Sequence, residues 1–155
     1  MLARAQRLIP GLWLGFLLCV AGLATPAPFA LLKRADAGRV VGRMLAQEAY
    51  TSLLLGAVLL VLARLAARQA AEAGRGSQVS ADMILAMATL FCTVAGYFAL
   101  QPAMAAARLG QGAFSFGQLH AISAAFYAVK VALVAVLAWR ASAQARVRAT
   151  RPPSS

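Results

Sequence analysis

Four long apolar runs separated by short polar connections set the pattern of this chain. The runs fall at about residues 8–25, 51–67, 83–101 and 119–139, and each is long enough to cross the hydrocarbon core as a helix. Residues 1–7, MLARAQR, form a basic N-terminal tail, and residues 141–155 form a basic C-terminal tail that ends in PPSS and is expected to be disordered at its end. Between them, residues 8–140 make a single transmembrane domain. Pro26 and Pro28 end or kink the first span, and Pro102 does so for the third, because proline has no amide to donate. The connection from Lys33 to Tyr50 is amphipathic. Val40, Val41, Met44 and Leu45 share one face, with Asp36, Arg39, Arg43 and Gln47 opposite. It reads as a helix lying in the interface or as the wet start of the second span. Asp36 is placed to cap it, and Ser80 to cap the third span. Ala70 to Asp82, with two glycines, is the clearest loop. The expected fold is therefore all-α: an integral membrane four-helix bundle with an interfacial amphipathic helix between spans 1 and 2.

The fourth span is not uniformly greasy. His120, Ser123, Tyr127 and Lys130 fall within a sector of roughly 80° on a helical wheel. Lipid cannot satisfy such a stripe, so it must face other helices or a wet cavity. With spans three and four antiparallel, Tyr97 and Gln101 lie at the depth of His120 and Ser123, and Thr89 and Thr93 at that of Lys130. Lys130 is roughly 15 Å from each end of its span, near the midplane. A charged Lys there costs about 2.5 to 3.5 kcal/mol. Glu48, Glu72, Asp36 and Asp82 all read as interfacial, so no carboxylate is expected deep enough to offset it.

Small residues mark where helices could approach closely. Gly11 and Gly15 form a GxxxG that Cys19 and Gly22 extend, and Ser52 and Gly56 repeat the spacing on the second span. Cys19 and Cys92 lie inside apolar runs and read as small packing residues. The first run also has the charged start and small residues of a secretory signal. Its length and its continuation through PAPFALL favour a retained span.

Composition sharpens the class. Of 155 residues, 62% are apolar and only 12% charged, well below the roughly 25% charged of a soluble domain. The net charge of +11 would point to nucleic acid in a soluble protein. Here the thirteen Arg and two Lys sit mostly at the ends of apolar runs, with no aromatic-interleaved patch. Anchoring to anionic lipid headgroups explains them better, and nucleic acid is not an expected partner. The tails and middle loop carry nine Arg, against five basic residues on the other side. By the positive-inside rule both termini are cytoplasmic. The Arg- and Ala-rich usage suits a GC-rich bacterial genome, hence a multi-pass protein of a bacterial inner membrane.

Candidate chemistry is sparse. His120, the only His, could be a metal or haem ligand, or an interfacial His donating to a carbonyl or to Gln101. One chain cannot supply two histidines, so bis-His ligation of haem, and by the same reading a porphyrin or copper site with two histidines, would call for a homo-oligomer. Met83 and Met87, one turn apart, carry a faint copper signal beside the plainer reading of packing. Lys130 could meet an anionic or proton-coupled ligand, snorkel, or pair with a carboxylate of a membrane partner. No phosphate-binding loop, dinucleotide fingerprint or HExxH occurs, and no catalytic residue is assigned. The candidate ligand-binding residues are His120, Ser123, Tyr127, Lys130, Tyr97 and Gln101, with His120 the only metal candidate and no cofactor expected.

From Leu12 to Leu137 the chain resembles the bacterial membrane family called domain of unknown function 4149, which is related to a eukaryotic transmembrane-protein family. The resemblance rests on LWLGF at 12–16, Pro28-Phe29, AGRVVGRML at 37–45, Tyr97 with QPAM at 101–104, Arg108, and FGQLHAIS at 116–123. The last motif often reads Leu-His-Gly in that family, and Ala121 stands in place of the Gly here. The resemblance implies four helices in the bacterial inner membrane and no particular reaction. The Leu-His pair is also similar to small four-helix families connected with copper resistance and porphyrin oxidation. Together these readings point to an integral membrane protein, more an uncatalytic one than an enzyme, handling a small solute or ion along the intramembrane stripe. The alternatives are a cofactor protein using His120 and a structural subunit of a membrane complex.

Overall fold

The computed structural model describes residues 2–74 and 77–149, with side chains from 4–74 and 77–143. Every regular element among them is helical. Helix α1 spans Leu2–Cys19 and passes into a π-helical segment, Val20–Ala24. A short α2, Pro26–Leu31, carries the chain to a tight link and then to α3, Arg34–Glu72. Helix α4, Ala81–Thr93, passes into a second π segment, Val94–Ala99, and a short α5, Gln101–Arg108. Helix α6, Phe116–Ala149, closes the chain.

The two hairpins are built alike. Each opens with an apolar helix that breaks at a π segment beginning Val-Ala-Gly, at 20–22 and at 94–96. Each resumes as a short helix with proline in its first turn, Pro26 or Pro102, and returns in a long helix. A π segment carries one residue more than regular helix, which shifts the helix face and loosens the main-chain ladder where proline could not have joined it. The prolines thus redirect two spans without ending them.

Helix ends follow local chemistry. The Ser80 hydroxyl accepts from the Met83 amide at 3.3 Å, the expected cap of α4. Asp36 does not cap α3. It lies in the first turn and pairs with Arg39, while Lys33 occupies the cap position. Gly74, at φ +65°, ends α3 in the left-handed region where glycine is favoured. Ser115 and Gln118 bracket the start of α6 reciprocally. The Ser115 amide donates to Gln118 Oε1 at 2.9 Å and the Gln118 amide to Ser115 Oγ at 3.2 Å.

The amphipathic segment after Lys33 is not a separate interfacial helix. It runs without a break into the second span, giving α3 39 residues and a length of about 58 Å, roughly twice the hydrocarbon thickness. At the other ends, α1 takes in the N-terminal basic segment from Leu2, and α6 continues through the C-terminal basic segment to Ala149. The expected disorder of the last residues concerns positions 150–155, outside the described residues.

Among the described residues, four helical stretches are long and apolar enough to span a bilayer: Arg4–Leu31, Arg34–Glu72, Ala81–Arg108 and Phe116–Ala143. They pack as a ring in which α1 lies against α6, α6 against α4, α4 against α3, and α3 against α1. Helices α3 and α6 therefore face each other on a diagonal. Trp13, Leu17, Leu59, Ala86, Val134 and Leu137 fill the centre. The outer surface is strongly apolar: Leu12 and Leu23 are each 72% exposed, and Leu54, Phe91 and Ile84 also face outward. Meanwhile Glu48, Ser52, Thr89, Thr93 and Lys130 are buried. Lipid outside and polar pairing inside account for this pattern.

Small residues serve the packing selectively. Gly56 meets Leu90, and Gly96 lies so close to Phe126 that an added Cβ would sit 2.4 Å from the Phe126 Cβ. The GxxxG face of α1 behaves otherwise. Gly11, Gly15, Cys19 and Gly22 point out of the bundle, and nothing lies within 4 Å of a Cβ built on any of the three glycines. The close packing expected of that face is not made within the chain, because Trp13, Leu17 and Val20 turn the opposite face inward. Of the two cysteines, Cys92 is buried and Cys19 exposed.

Candidate functional site

Where the two hairpins break, the ring opens. The π segments and prolines carry α2 and α5 aside, and a cleft of about 820 Å³ lies between the first half of α3 and the first half of α6. All six residues singled out from the sequence line it: Tyr97 and Gln101 from the third span, and His120, Ser123, Tyr127 and Lys130 from α6. The stripe faces the bundle interior, as the physics of lipid requires.

Each residue of the stripe has its own partner. His120 stacks on Phe116, with ring centroids 6.0 Å apart, and the Arg108 guanidinium lies 4.8 Å from the centre of the Phe116 ring. Ser123 donates to the carbonyl of Gly96, inside the second π segment, at 2.6 Å. Tyr127 donates to the carbonyl of Leu17 at 2.8 Å, one turn before the first π segment. Two hydroxyls of α6 thus bond main-chain carbonyls beside the two helix breaks. Such breaks leave carbonyls short of main-chain partners, and side-chain donors make good the loss.

Lys130 meets a carboxylate, which overturns the expectation that none lies deep in a span. Its Nζ donates to Glu48 Oε1 at 2.7 Å, and both side chains are 4% exposed or less. Ser52 donates to the same oxygen at 2.5 Å, and Trp13 Nε1 donates to Ser52 Oγ at 3.0 Å. The Lys130 ammonium also lies 4.6 Å from the centre of the Tyr127 ring. Glu48, Ser52 and Lys130 with Trp13 therefore form one buried network joining α1, α3 and α6. It crosses the diagonal of the ring and floors the cleft. Burial raises the stakes of this pair. Its Coulomb gain is largely offset by desolvation, while loss of one partner strands a charge.

Glu48 is the residue that sequence reasoning missed. A signal existed: Glu48 precedes Ser52 and Gly56 at spacings of four, so it stands on the same face as the small residues assigned to helix packing. Assigning residues through Tyr50 to the connection placed it outside the span.

The charges around the cleft are uneven. The chain has four carboxylates, and among the described residues each pairs with a cation. Asp36 pairs with Arg39, Glu48 with Lys130, Glu72 with Arg68, and Asp82 with Arg140 at 2.6 Å. The cleft floor is neutral as a pair. Its mouth carries Arg34 and Arg108, exposed, lining the cleft and paired with none of these carboxylates. Elsewhere, Met83 packs with Ala63 and Ala67 while Met87 is half exposed. Among the described residues no three His, Cys, Asp or Glu side chains gather into a metal-sized group.

An apolar exterior, four membrane-length helices and a polar network confined to the interior define a multi-pass helical membrane protein. The family model described as Domain of unknown function (DUF4149) matches residues 8–113, more than half of the chain, and the chain belongs to that family. The match takes in Glu48, Tyr97, Gln101 and Arg108 and ends before α6, so FGQLHAIS and Lys130 lie beyond it. Comparison with curated proteins and with solved structures finds no match.

Proposed function

We propose that this protein binds a small solute or ion in the cleft above the Glu48–Lys130 pair, without catalysing a reaction on it. One observation carries this reading. The six stripe and third-span residues converge on one cleft that ends at a buried ion pair. A pocket of this volume, mostly apolar with a few convergent polar groups, has the general form of a ligand site. The excess of Arg in the tails and middle loop supports cytoplasmic termini in a bacterial inner membrane, which puts the cleft mouth on the outer side.

Thiol labelling tests the reading. Ala124 lines the cleft, and Val129 points outward from the same helix. With Cys19 and Cys92 replaced by Ser, Ala124→Cys should react with a membrane-impermeant methanethiosulfonate from the outer side only. Val129→Cys should stay unreactive. An Ala124→Cys thiol as inert as Val129→Cys would mean a dry, closed bundle and end the proposal.

The alternative of a haem, porphyrin or copper protein retains one supporting observation, the exposure of His120 at the cleft mouth. A bis-histidine site would require a second copy of the chain. A Soret band or stoichiometric copper lost in His120→Ala would bring it forward. The subunit reading loses its ground, because it rested on Lys130 needing a carboxylate from another protein, and Glu48 supplies one.

A further inference from the structure

We infer that the ligand of this cleft is a single-chain lipid anion, a long-chain carboxylate, with its head at Arg34 and Arg108 and its chain directed toward Glu48 and Lys130. The inference rests on the ligand-binding reading above and names the class of molecule. Three observations converge on it.

The first is charge. Every carboxylate is already paired among the described residues, and the one nearest the mouth, Asp36, is held by Arg39. Arg34 at the start of α3 and Arg108 at the end of α5 stand on two walls of the mouth. Both are cations, and a planar guanidinium matches a carboxylate in geometry as well as sign. The second is the lining. Between mouth and floor the walls are mainly apolar, with Phe29, Val41, Leu45, Met104 and Ala124, and of the polar groups beside them Ser123 and Tyr127 already donate to main-chain carbonyls, so a hydrophilic ion finds little compensation there for its lost water. The floor is an ion pair, neutral as a unit, so it asks for no counter-ion from the ligand. The third is size. At about 30 Å³ per heavy-atom-sized group, the share one water takes, the cleft holds roughly 27 such groups. That accommodates one acyl chain with its head and is too small for a two-chain phospholipid.

The test uses the full-length protein in nanodiscs of zwitterionic lipid, with the fluorescent long-chain carboxylate cis-parinarate as probe. Saturable binding at one probe per chain is expected, displaced by palmitate and at least tenfold less well by uncharged hexadecanol. Inorganic phosphate should not displace it. Arg34→Gln and Arg108→Gln, both at exposed positions, should each weaken binding about tenfold, and Ala124→Trp should abolish it by filling the cleft. Val129→Trp, on the lipid face, should change nothing. Equal displacement by hexadecanol, displacement by phosphate, or indifference to the arginine and Ala124 substitutions would each overturn the inference. Absent probe binding together with a reactive Ala124→Cys would reject the lipid anion while leaving a wet ligand site. An inert Ala124→Cys would remove both.

Discussion

Lys130 and Glu48 show how little a buried charge means until its partner is known. Lys130 alone is a costly group near the middle of a membrane. With Glu48 at 2.7 Å, and Ser52 and Trp13 behind it, it is half of a neutral unit. Lys130→Met and Glu48→Gln should each destabilise the bundle by about 3–5 kcal/mol, because each strands the other charge. The double substitution should recover most of that loss. Thermal unfolding of the four proteins in mild detergent completes the cycle, and additive single effects would mean the two side chains do not act as a pair. Gly96 gives a second residue-scale expectation. Gly96→Ala pushes a methyl into Phe126 and should cost about 1–3 kcal/mol in the same assay. Adding Phe126→Gly, which removes the Cβ at the closest contact, should relieve the clash, whereas Phe126→Ala keeps that atom and should not. At this scale the sequence revealed the α6 stripe completely, since a period of 3.6 shows which residues share a face. It hid Glu48 because one carboxylate at a boundary looks the same whether it ends a connection or opens a span.

At the scale of elements, the four spans were legible from hydropathy alone, and the prolines marked where two of them change direction. What proline does there was not legible. It ends a helix in water, whereas here π segments carry the chain past Pro26 and Pro102. The difference lies in the ladder: one extra residue absorbs the amide that proline lacks, and hydroxyls on α6 bond carbonyls nearby. Deleting Ala99 should convert the second π segment to regular helix and turn α5 by about 100° relative to α4. Met104, now buried against the cleft, would then leave it. In a cysteine-free background, Met104→Cys should change its reactivity toward an impermeant thiol reagent once Ala99 is deleted. Unchanged labelling would show that the π segment does not set the direction of α5. The continuity of α3 is the other result at this scale. Its polar first turns left open whether it lay in the interface or began the next span, and no breaker separates the two.

For the whole molecule, the ring places α3 and α6 on a diagonal, joined by one ion pair and opened above it by the two helix breaks. The two hairpins, alike in construction, contribute one charge each. Opposing halves with interrupted helices at matching positions flank ligand sites in many membrane proteins, and here both interruptions border the cleft. Pairwise packing of this kind follows from tertiary geometry and could not be read from spacing along the chain. The outward GxxxG face of α1 belongs to the same lesson: spacing identified a smooth helix face, and only the fold determined what it meets.

The ion pair also has a history within each molecule. Glu48 and Lys130 are 82 residues apart, so the carboxylate leaves the ribosome well before its partner exists. At about 5–20 residues per second, that interval is roughly 4–16 s. During it the second span is one carboxylate too polar to settle at its final depth without penalty. Its polar first turns would tolerate a shallower position, partly raised into the headgroups, until α6 is made. A nascent chain that stalls after the third span keeps an unmatched Glu48 in or beside the bilayer, and is thereby distinguishable, to whatever machinery inspects membrane proteins, from one that has been finished.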